Sequence, residues 1–218
     1  MESVLNPSLI EMTQVAINQK LILQGVGWDF YERILAEFAG SNALHFAYDD
    51  GFLEVEMPLL KHEVPIRLLS DLISTICVEQ GTDFRNVGST TFRKRSRSKG
   101  CEPDTAFYIQ NERKIYKLEE IDLSKDPPPD LVIEVDVTSP SLNKMPIYAA
   151  LGIPEIWLYK GEKVEFYKLY GEFYQQIENS VALRFLDSQT ATDFLQKGLT
   201  ESSSKWFKTV REWTKKNG

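Results

Sequence analysis

One stretch constrains the fold of this 218-residue chain most: prolines at 127–129 open a short run rich in Val and Ile, which Thr138-Ser139-Pro140-Ser141 closes. Such a run predicts a buried strand that leads into a loop. Because side chains alternate between the two faces of a strand, one face is apolar and the other carries acids. The apolar face holds Leu131, Ile133, Val135 and Val137, and the other holds Asp130, Val132, Glu134 and Asp136.

The carboxylates on the acidic face of this strand require a positive partner or water. An ionised carboxylate that is removed from water without a partner costs several kcal/mol or more. We therefore expect a metal ion, a nearby Lys or Arg, or water at an open face opposite Glu134.

Length and composition predict one domain over residues 1–218, because no Gly/Ser linker, charge block or repeat divides the chain. We expect N-terminal helices in 1–40, a core in 41–160, and a hairpin and C-terminal helices in 161–218. The net charge of -7 argues against non-specific attraction to nucleic acid or membrane, although a local basic patch could still bind phosphates. No apolar run of membrane-spanning length is found near the N-terminus, and Cys77 and Cys101 lack a CxxC motif. These features predict a cytoplasmic protein with reduced thiols and no membrane partner.

Hydrophobic periodicity and turn residues predict the elements on either side of the acidic strand. Helices are predicted over Ser8–Asn18, Trp28–Phe38, His62–Glu79 and Lys144–Leu151, and around Trp206–Trp213. Strands are predicted over Leu44–Tyr48, Phe52–Met57, Phe84–Phe92, Cys101–Ile109, Ile153–Tyr159, Val164–Tyr170 and Glu172–Ile177. The strand–helix–strand succession from Leu131 to Tyr159 predicts two adjacent parallel strands with a crossover helix. The expected fold class is therefore α/β, with a mixed central sheet flanked by helices.

Three acids and one lysine are candidates for chemistry: Asp104, Glu134, Asp136 and Lys144. Two carboxylates on neighbouring strands can ligate a hard divalent ion such as Mg²⁺, which prefers oxygen ligands and keeps several waters. A lysine could then supply a point charge for a phosphate or orient an attacking water. The alternative is a structural ion pair of Glu134 with Lys144 or Arg93.

A basic tract lies between two predicted strands, because five of the seven residues from Arg93 to Lys99 are basic. They are Arg93, Lys94, Arg95, Arg97 and Lys99. Such a tract can bind phosphates. A solvated loop is the alternative, since no aromatic residue interleaves the charges.

Several of these motifs together resemble the Uma family of endonucleases, which belongs to the PD-(D/E)XK restriction-endonuclease-like superfamily. The motifs are Pro103-Asp104, Pro129-Asp130-Leu131-Val132-Ile133-Glu134-Val135, and Lys144 with Tyr148-Ala149-Ala150-Leu151-Gly152-Ile153-Pro154-Glu155-Ile156-Trp157. The similarity extends back through His62-Glu63 and Gly88-Ser89-Thr90-Thr91-Phe92, so it covers roughly residues 44–159.

The resemblance implies a restriction-endonuclease-like fold and a Mg²⁺- or Mn²⁺-dependent endonuclease that cleaves DNA, with Asp104 and Glu134 as metal ligands. The superfamily lysine normally follows the second acid by two residues, but Asp136 stands there, so Lys144 is the expected substitute. Asp136 is a further possible ligand, and Glu63 could reach the metal from the start of its helix. The basic tract would lie near the DNA backbone. Independently of the resemblance, exposed edge strands and the hairpin late in the chain are consistent with a homodimer. The rival is a binding or assembly protein that kept the fold and lost the chemistry.

Two Pro-Asp pairs compete for the role of first acid. Asp130 shares a strand with Glu134 and lies four residues away, which at the strand rise corresponds to about 13 Å and is too far for one metal ion. Asp104 lies on a different strand and can approach Glu134 across the sheet. We therefore expect Asp104 to be the ligand and Asp130 to be a residue at the beginning of its strand.

Overall fold

The computed structural model describes residues 20–39, 44–57, 60–136 and 142–218. The strands within these ranges are β1 Lys20–Leu23, β2 His45–Asp49, β3 Phe52–Glu56, β4 Arg85–Gly88, β5 Phe92–Lys94, β6 Lys99–Cys101, β7 Thr105–Tyr108, β8 Leu131–Val135, β9 Glu155–Tyr159, β10 Val164–Tyr170 and β11 Phe173–Ile177. The helices are α1 Trp28–Glu37, α2 Leu60–Gln80, α3 Glu112–Ile115, α4 Lys144–Leu151, α5 Ser188–Gly198 and α6 Ser203–Asn217. The helix predicted over Ser8–Asn18 lies outside the described residues.

The larger sheet has six strands in the order β11-β10-β9-β8-β7-β4. Strands β8 and β9 are parallel, with Val132 opposite Ile156, and their neighbours in the sheet are antiparallel to them. The helix α4 connects the two parallel strands in the sequence. The expected parallel pair and the mixed α/β sheet are therefore confirmed.

Strand β8 is buried along its whole length because both faces of the sheet are covered. Leu131, Ile133 and Val135 pack in a core with residues of α2, α5 and α6. Val132 on the opposite face packs in a second core with α4 and with residues of the smaller sheet. Burial on both faces explains why an apolar run occupies this strand, and it confirms the predicted alternation of faces.

The sequence patterns did not predict a second sheet, which has five strands in the order β1-β3-β2-β6-β5. The single strand predicted over Phe84–Phe92 is wrong, because the chain turns at Gly88, where φ is +60°, and continues in the other sheet as β5. The strand predicted over Cys101–Ile109 is also divided, since Cys101 ends β6 and Thr105 begins β7. Asp104 therefore lies where the chain crosses from the smaller sheet to the larger one.

Two β-hairpins join neighbouring strands. β2 pairs with β3 around Asp50 and Gly51, both of which have positive φ, and β10 pairs with β11 around Gly171. Strand β11 forms one edge of the larger sheet. The homodimer expected from exposed edge strands stays a prediction.

The two cysteines are free and buried, as expected for reduced thiols. Among the described helices, none combines the length and apolar character that a membrane span requires.

Candidate active site

Helix α4 follows β8 in the sequence, and both of its ends are well defined. The Asn143 side chain caps the helix by accepting a hydrogen bond of 3.1 Å from the backbone N–H of Met145. Gly152 ends the helix in the left-handed region, at a φ of +81°. Residues four apart lie on the same helix face, so Lys144 and Tyr148 project in the same direction, towards β8.

Both oxygens of the Glu134 carboxylate are held by this helix. The Lys144 ammonium lies 2.9 Å from Oε2, and the Tyr148 hydroxyl donates a short hydrogen bond to Oε1. The Glu134 and Lys144 side chains are only 12% and 11% exposed, so water screens this ion pair weakly. The sequence alternative of a Glu134–Lys144 ion pair is thus present in the structure.

Asp104 faces Glu134 across the antiparallel pair of β7 and β8. Thr105 is opposite Ile133 in the register, and continuing that register by one residue places Asp104 opposite Glu134. Side chains directly opposite each other on such a pair have Cβ atoms about 4.5–5.5 Å apart. The Asp104 Oδ2 accepts a hydrogen bond of 2.7 Å from the Val135 N–H, and its Oδ1 lies 3.8 Å from the His45 Nδ1.

Burial and, to a lesser extent, the nearby charge of Glu134 raise the pKa of Asp104 to about 8, against the opposing effects of Lys144 and the Val135 N–H. Burial together with the charge of Lys144 lowers the pKa of His45, so its imidazole is neutral near pH 7. At neutral pH, Asp104 is therefore mostly protonated in the metal-free protein.

Lys144 remains a cation despite its burial. Burial alone would lower its pKa, but the charge of Glu134 and neighbouring groups, including Asp104 and Glu56, holds the pKa well above the ordinary lysine value. The ammonium thus lies among several carboxyl groups.

One cleft of about 290 Å³ is lined by Asp104, Glu134, Lys144 and Tyr148. Its acids are Glu56, Asp104, Glu134 and Asp136, and its cations are Lys20, Lys144 and Lys160. The Lys20 ammonium lies 3.1 Å from Oε1 of Glu56, and the Lys160 ammonium lies 3.5 Å from the Glu165 carboxylate. The arrangement combines acids that could ligate a cation with lysines that could contact an anion.

The donor set fits a magnesium ion with two protein ligands. Within residues 20–39, 44–57, 60–136 and 142–218, no three His, Cys, Asp or Glu side chains form a group that could hold a metal ion. Magnesium is commonly bound through one or two carboxylates while it keeps several waters. Asp104 and Glu134 face the same cleft and supply such a pair, with Asp136 half-buried at its wall.

Glu63 does not line this cleft. It lines a neighbouring polar cleft of about 450 Å³, which Asp104 and His45 also border. Its carboxylate lies 3.9 Å from the Arg67 guanidinium, one turn along α2. The structure thus brings Glu63 near Asp104 but not into the cleft that contains Glu134.

Asp130 has a structural position, as expected for a residue at the beginning of its strand. Its buried carboxylate accepts hydrogen bonds from the Ile109 N–H at 2.7 Å, and from the Asn111 N–H and side-chain amide at 2.9 and 2.6 Å. These contacts hold the turn that follows β7. Of the two aspartates that follow a proline, Asp104 is the one that lies opposite Glu134.

The basic tract is not an open loop but a tight hairpin, in which a 3₁₀ turn at Arg95–Arg97 connects β5 to β6. Arg95 lies 2.6 Å from Asp29 and 3.0 Å from Glu32 of α1, and Lys99 forms an ion pair with Asp49. Two of the five charges are therefore neutralised by other parts of the chain. Arg93 and Arg97 are exposed, and Lys94 is half-buried.

Sequence reasoning assigned no role to four charged or hydroxyl-bearing residues of the cleft: Lys20, Glu56, Tyr148 and Lys160. The four-residue spacing of Lys144 and Tyr148 on a predicted helix could have indicated that both face the same strand. The alternation of Glu54 and Glu56 with apolar residues could have indicated an acidic face on β3. Glu54 on that face accepts a hydrogen bond of 2.6 Å from the Leu142 N–H, which fixes the chain just before α4.

Comparisons with known proteins were made by sequence and by structure. The family model "Uma2: Putative restriction endonuclease" matches residues 28–204. The chain is similar to a solved structure from Anabaena variabilis ATCC 29413, titled a "putative nuclease belonging to DUF820", at 17% identity and a TM-score of 0.45, over 69% of this chain and 90% of that one. It is also similar to the type IIG restriction endonuclease BpuSI, at 12% identity and a TM-score of 0.34, over 72% of this chain and 16% of that one. Comparison with curated proteins gives no match.

Proposed function

The chain belongs to the Uma2 family, whose description is "Putative restriction endonuclease", and from this premise we propose that it is a metal-dependent endonuclease that hydrolyses DNA phosphodiester bonds. Its fold is that of a restriction-endonuclease-like domain, with a mixed sheet flanked by helices. The observation that carries the proposal is the placement of Asp104 opposite Glu134 in a cleft that also contains the Lys144 ammonium.

Asp104 and Glu134 would hold Mg²⁺ or Mn²⁺ through their carboxylates. A bound divalent ion of this kind lowers the pKa of a coordinated water and stabilises the negative charge that develops on a phosphate. Lys144 contributes a charge fixed by its contact with Glu134, and it can orient the attacking water or contact a phosphate oxygen. Asp136 is a further possible ligand because it lines the same cleft.

A metal-titrated cleavage assay tests the proposal. Purified protein is incubated with duplex DNA, single-stranded DNA and RNA at increasing Mg²⁺ or Mn²⁺, with EDTA as the control. We expect cleavage of DNA that requires the metal. Binding of DNA without cleavage at any metal concentration would instead favour a binding or assembly protein. In such a protein, the contacts of Glu134 with Lys144 and Tyr148 would have a structural role only.

Magnesium affinity should rise with pH, because the metal needs ionised Asp104 whereas the metal-free protein holds that carboxyl mostly protonated, with a pKa of about 8. Below this pKa, binding must release a proton, so the association constant should increase about tenfold per pH unit and level off above it. Calorimetry in two buffers of different ionisation enthalpy at pH 6.5 measures the released proton directly. An affinity that does not change between pH 6 and pH 9 would contradict Asp104 as a ligand.

The free members of the basic tract should contribute to DNA binding more than its paired members. Changing Arg93, Lys94 and Arg97 to Ala should weaken binding and reduce the salt slope of log K by up to about 0.9 for each lost phosphate contact. The matched control is Arg95→Ala, because Arg95 is paired with Asp29 and Glu32. If the triple variant has the affinity and salt slope of the wild type, the tract does not contact the DNA backbone.

A further inference from the structure

The two oxygens of Glu134 are held by side chains that differ in their number of rotatable bonds. Lys144 contacts Oε2 through a flexible four-carbon chain. Tyr148 contacts Oε1 through a rigid ring that is only 1% exposed and packs among Ala47, Cys101 and Ile156. The hydroxyl of Tyr148 is therefore the more fixed of the two contacts.

A second hydrogen bond, from Cys101, supports the contact between Tyr148 and Glu134. The Cys101 thiol donates to the Tyr148 oxygen at a distance of 3.4 Å. A tyrosine hydroxyl has a single proton, and it points to Glu134 because a carboxylate can only accept, which leaves the hydroxyl oxygen free to accept from the thiol. The chain of donors thus runs from Cys101 through Tyr148 to the Glu134 carboxylate.

Fixing one oxygen determines how the other oxygen is presented. With Oε1 held by Tyr148, the carboxylate cannot rotate freely, and Oε2 stays beside Lys144. A cation that approaches from the cleft would then meet one oxygen in a fixed orientation and need not order the carboxylate itself.

We propose that Tyr148 is a positioning residue for Glu134, which orients the carboxylate for a divalent metal ion through the hydroxyl that Cys101 supports. This inference rests on the proposed function, since it assigns Tyr148 a role in the same metal site. Residues that hydrogen-bond to metal ligands typically affect metal affinity or activity about 10- to 100-fold.

The test is Tyr148→Phe, which keeps the packed ring and removes the hydroxyl. We expect the Mg²⁺ affinity measured by calorimetry to weaken about 10- to 100-fold, with a lower kcat for DNA cleavage and an unchanged KM for DNA. The matched control is Tyr174→Phe, since the Tyr174 hydroxyl donates to the Ile153 carbonyl at 2.6 Å and its ring packs against the same core, away from Glu134. Tyr174→Phe should bind Mg²⁺ as the wild type does.

A second variant, Cys101→Ala, leaves the Tyr148 hydroxyl in place and should weaken Mg²⁺ binding less than Tyr148→Phe does. Thermal unfolding of the variants shows whether each one is folded. Equal Mg²⁺ affinity in the wild type and Tyr148→Phe, or a larger loss in Cys101→Ala than in Tyr148→Phe, would overturn the role of Tyr148 and leave the proposed function standing. If the wild type itself takes up neither Mg²⁺ nor Mn²⁺, the proposed function fails, and the role of Tyr148 fails with it.

Discussion

Glu134→Gln is expected to abolish Mg²⁺ binding and to slow DNA cleavage by at least about 10³-fold. The substitution keeps the size of the side chain and removes the charge that a divalent cation requires. A catalytic metal supplies several kcal/mol of transition-state stabilisation, and each 1.36 kcal/mol corresponds to about a tenfold change in rate. Calorimetry with Mg²⁺ and the cleavage assay measure the two effects separately.

The control for this substitution is Glu112→Gln. Glu112 is also a buried glutamate with a cationic neighbour, since its carboxylate lies 3.6 Å from the Arg85 guanidinium, but it does not line the cleft. The Glu112→Gln substitution should leave Mg²⁺ affinity and DNA cleavage at wild-type levels. Unchanged Mg²⁺ affinity in Glu134→Gln would refute the assignment of Glu134 as a ligand, and the Lys144 contact would then be a structural ion pair.

The alternation of side chains along β8 was predictable because it depends only on the period of a strand. That period placed Glu134 on the face opposite Leu131, Ile133 and Val135, and the strand rise excluded Asp130 as its metal-binding partner. The parallel pairing of β8 with β9 followed from the intervening helix. These steps use contacts that are local in the sequence or that chain topology restricts strongly.

The second sheet and the pairing of the basic tract could not be predicted in the same way. A period of two indicates a strand but not the sheet to which it belongs, so the crossing between Cys101 and Thr105 was not detected. Arg95 is neutralised by Asp29 and Glu32, which are 66 and 63 residues away in the chain. No periodicity encodes contacts at that separation, so the sequence could not show which charges of the tract are paired within the chain.

The structure also changes what the lysine is expected to do. The Lys144 ammonium lies 2.9 Å from Oε2 of Glu134, the oxygen that faces the proposed metal site. The ammonium is also near the carboxyl groups of Asp104 and Glu56. Two cations that approach the same carboxylate repel each other, and the repulsion is stronger at a buried site than in water. At the proposed metal site, Lys144 would therefore oppose metal binding electrostatically and would stabilise the negative charge that develops on the phosphate during hydrolysis.

Lys144→Met should accordingly separate binding from catalysis. We expect the variant to bind Mg²⁺ at least as tightly as the wild type, and to cleave DNA about 10²- to 10³-fold more slowly, which is the usual effect of removing one electrostatic contact to a transition state. Lys160→Met is the matched control, because Lys160 lines the same cleft but is 54% exposed and pairs with Glu165. It should change neither property by more than a few-fold. If Lys144→Met instead loses Mg²⁺ binding together with activity, the lysine holds the carboxylates in place, and its role is to build the site and not to assist the reaction.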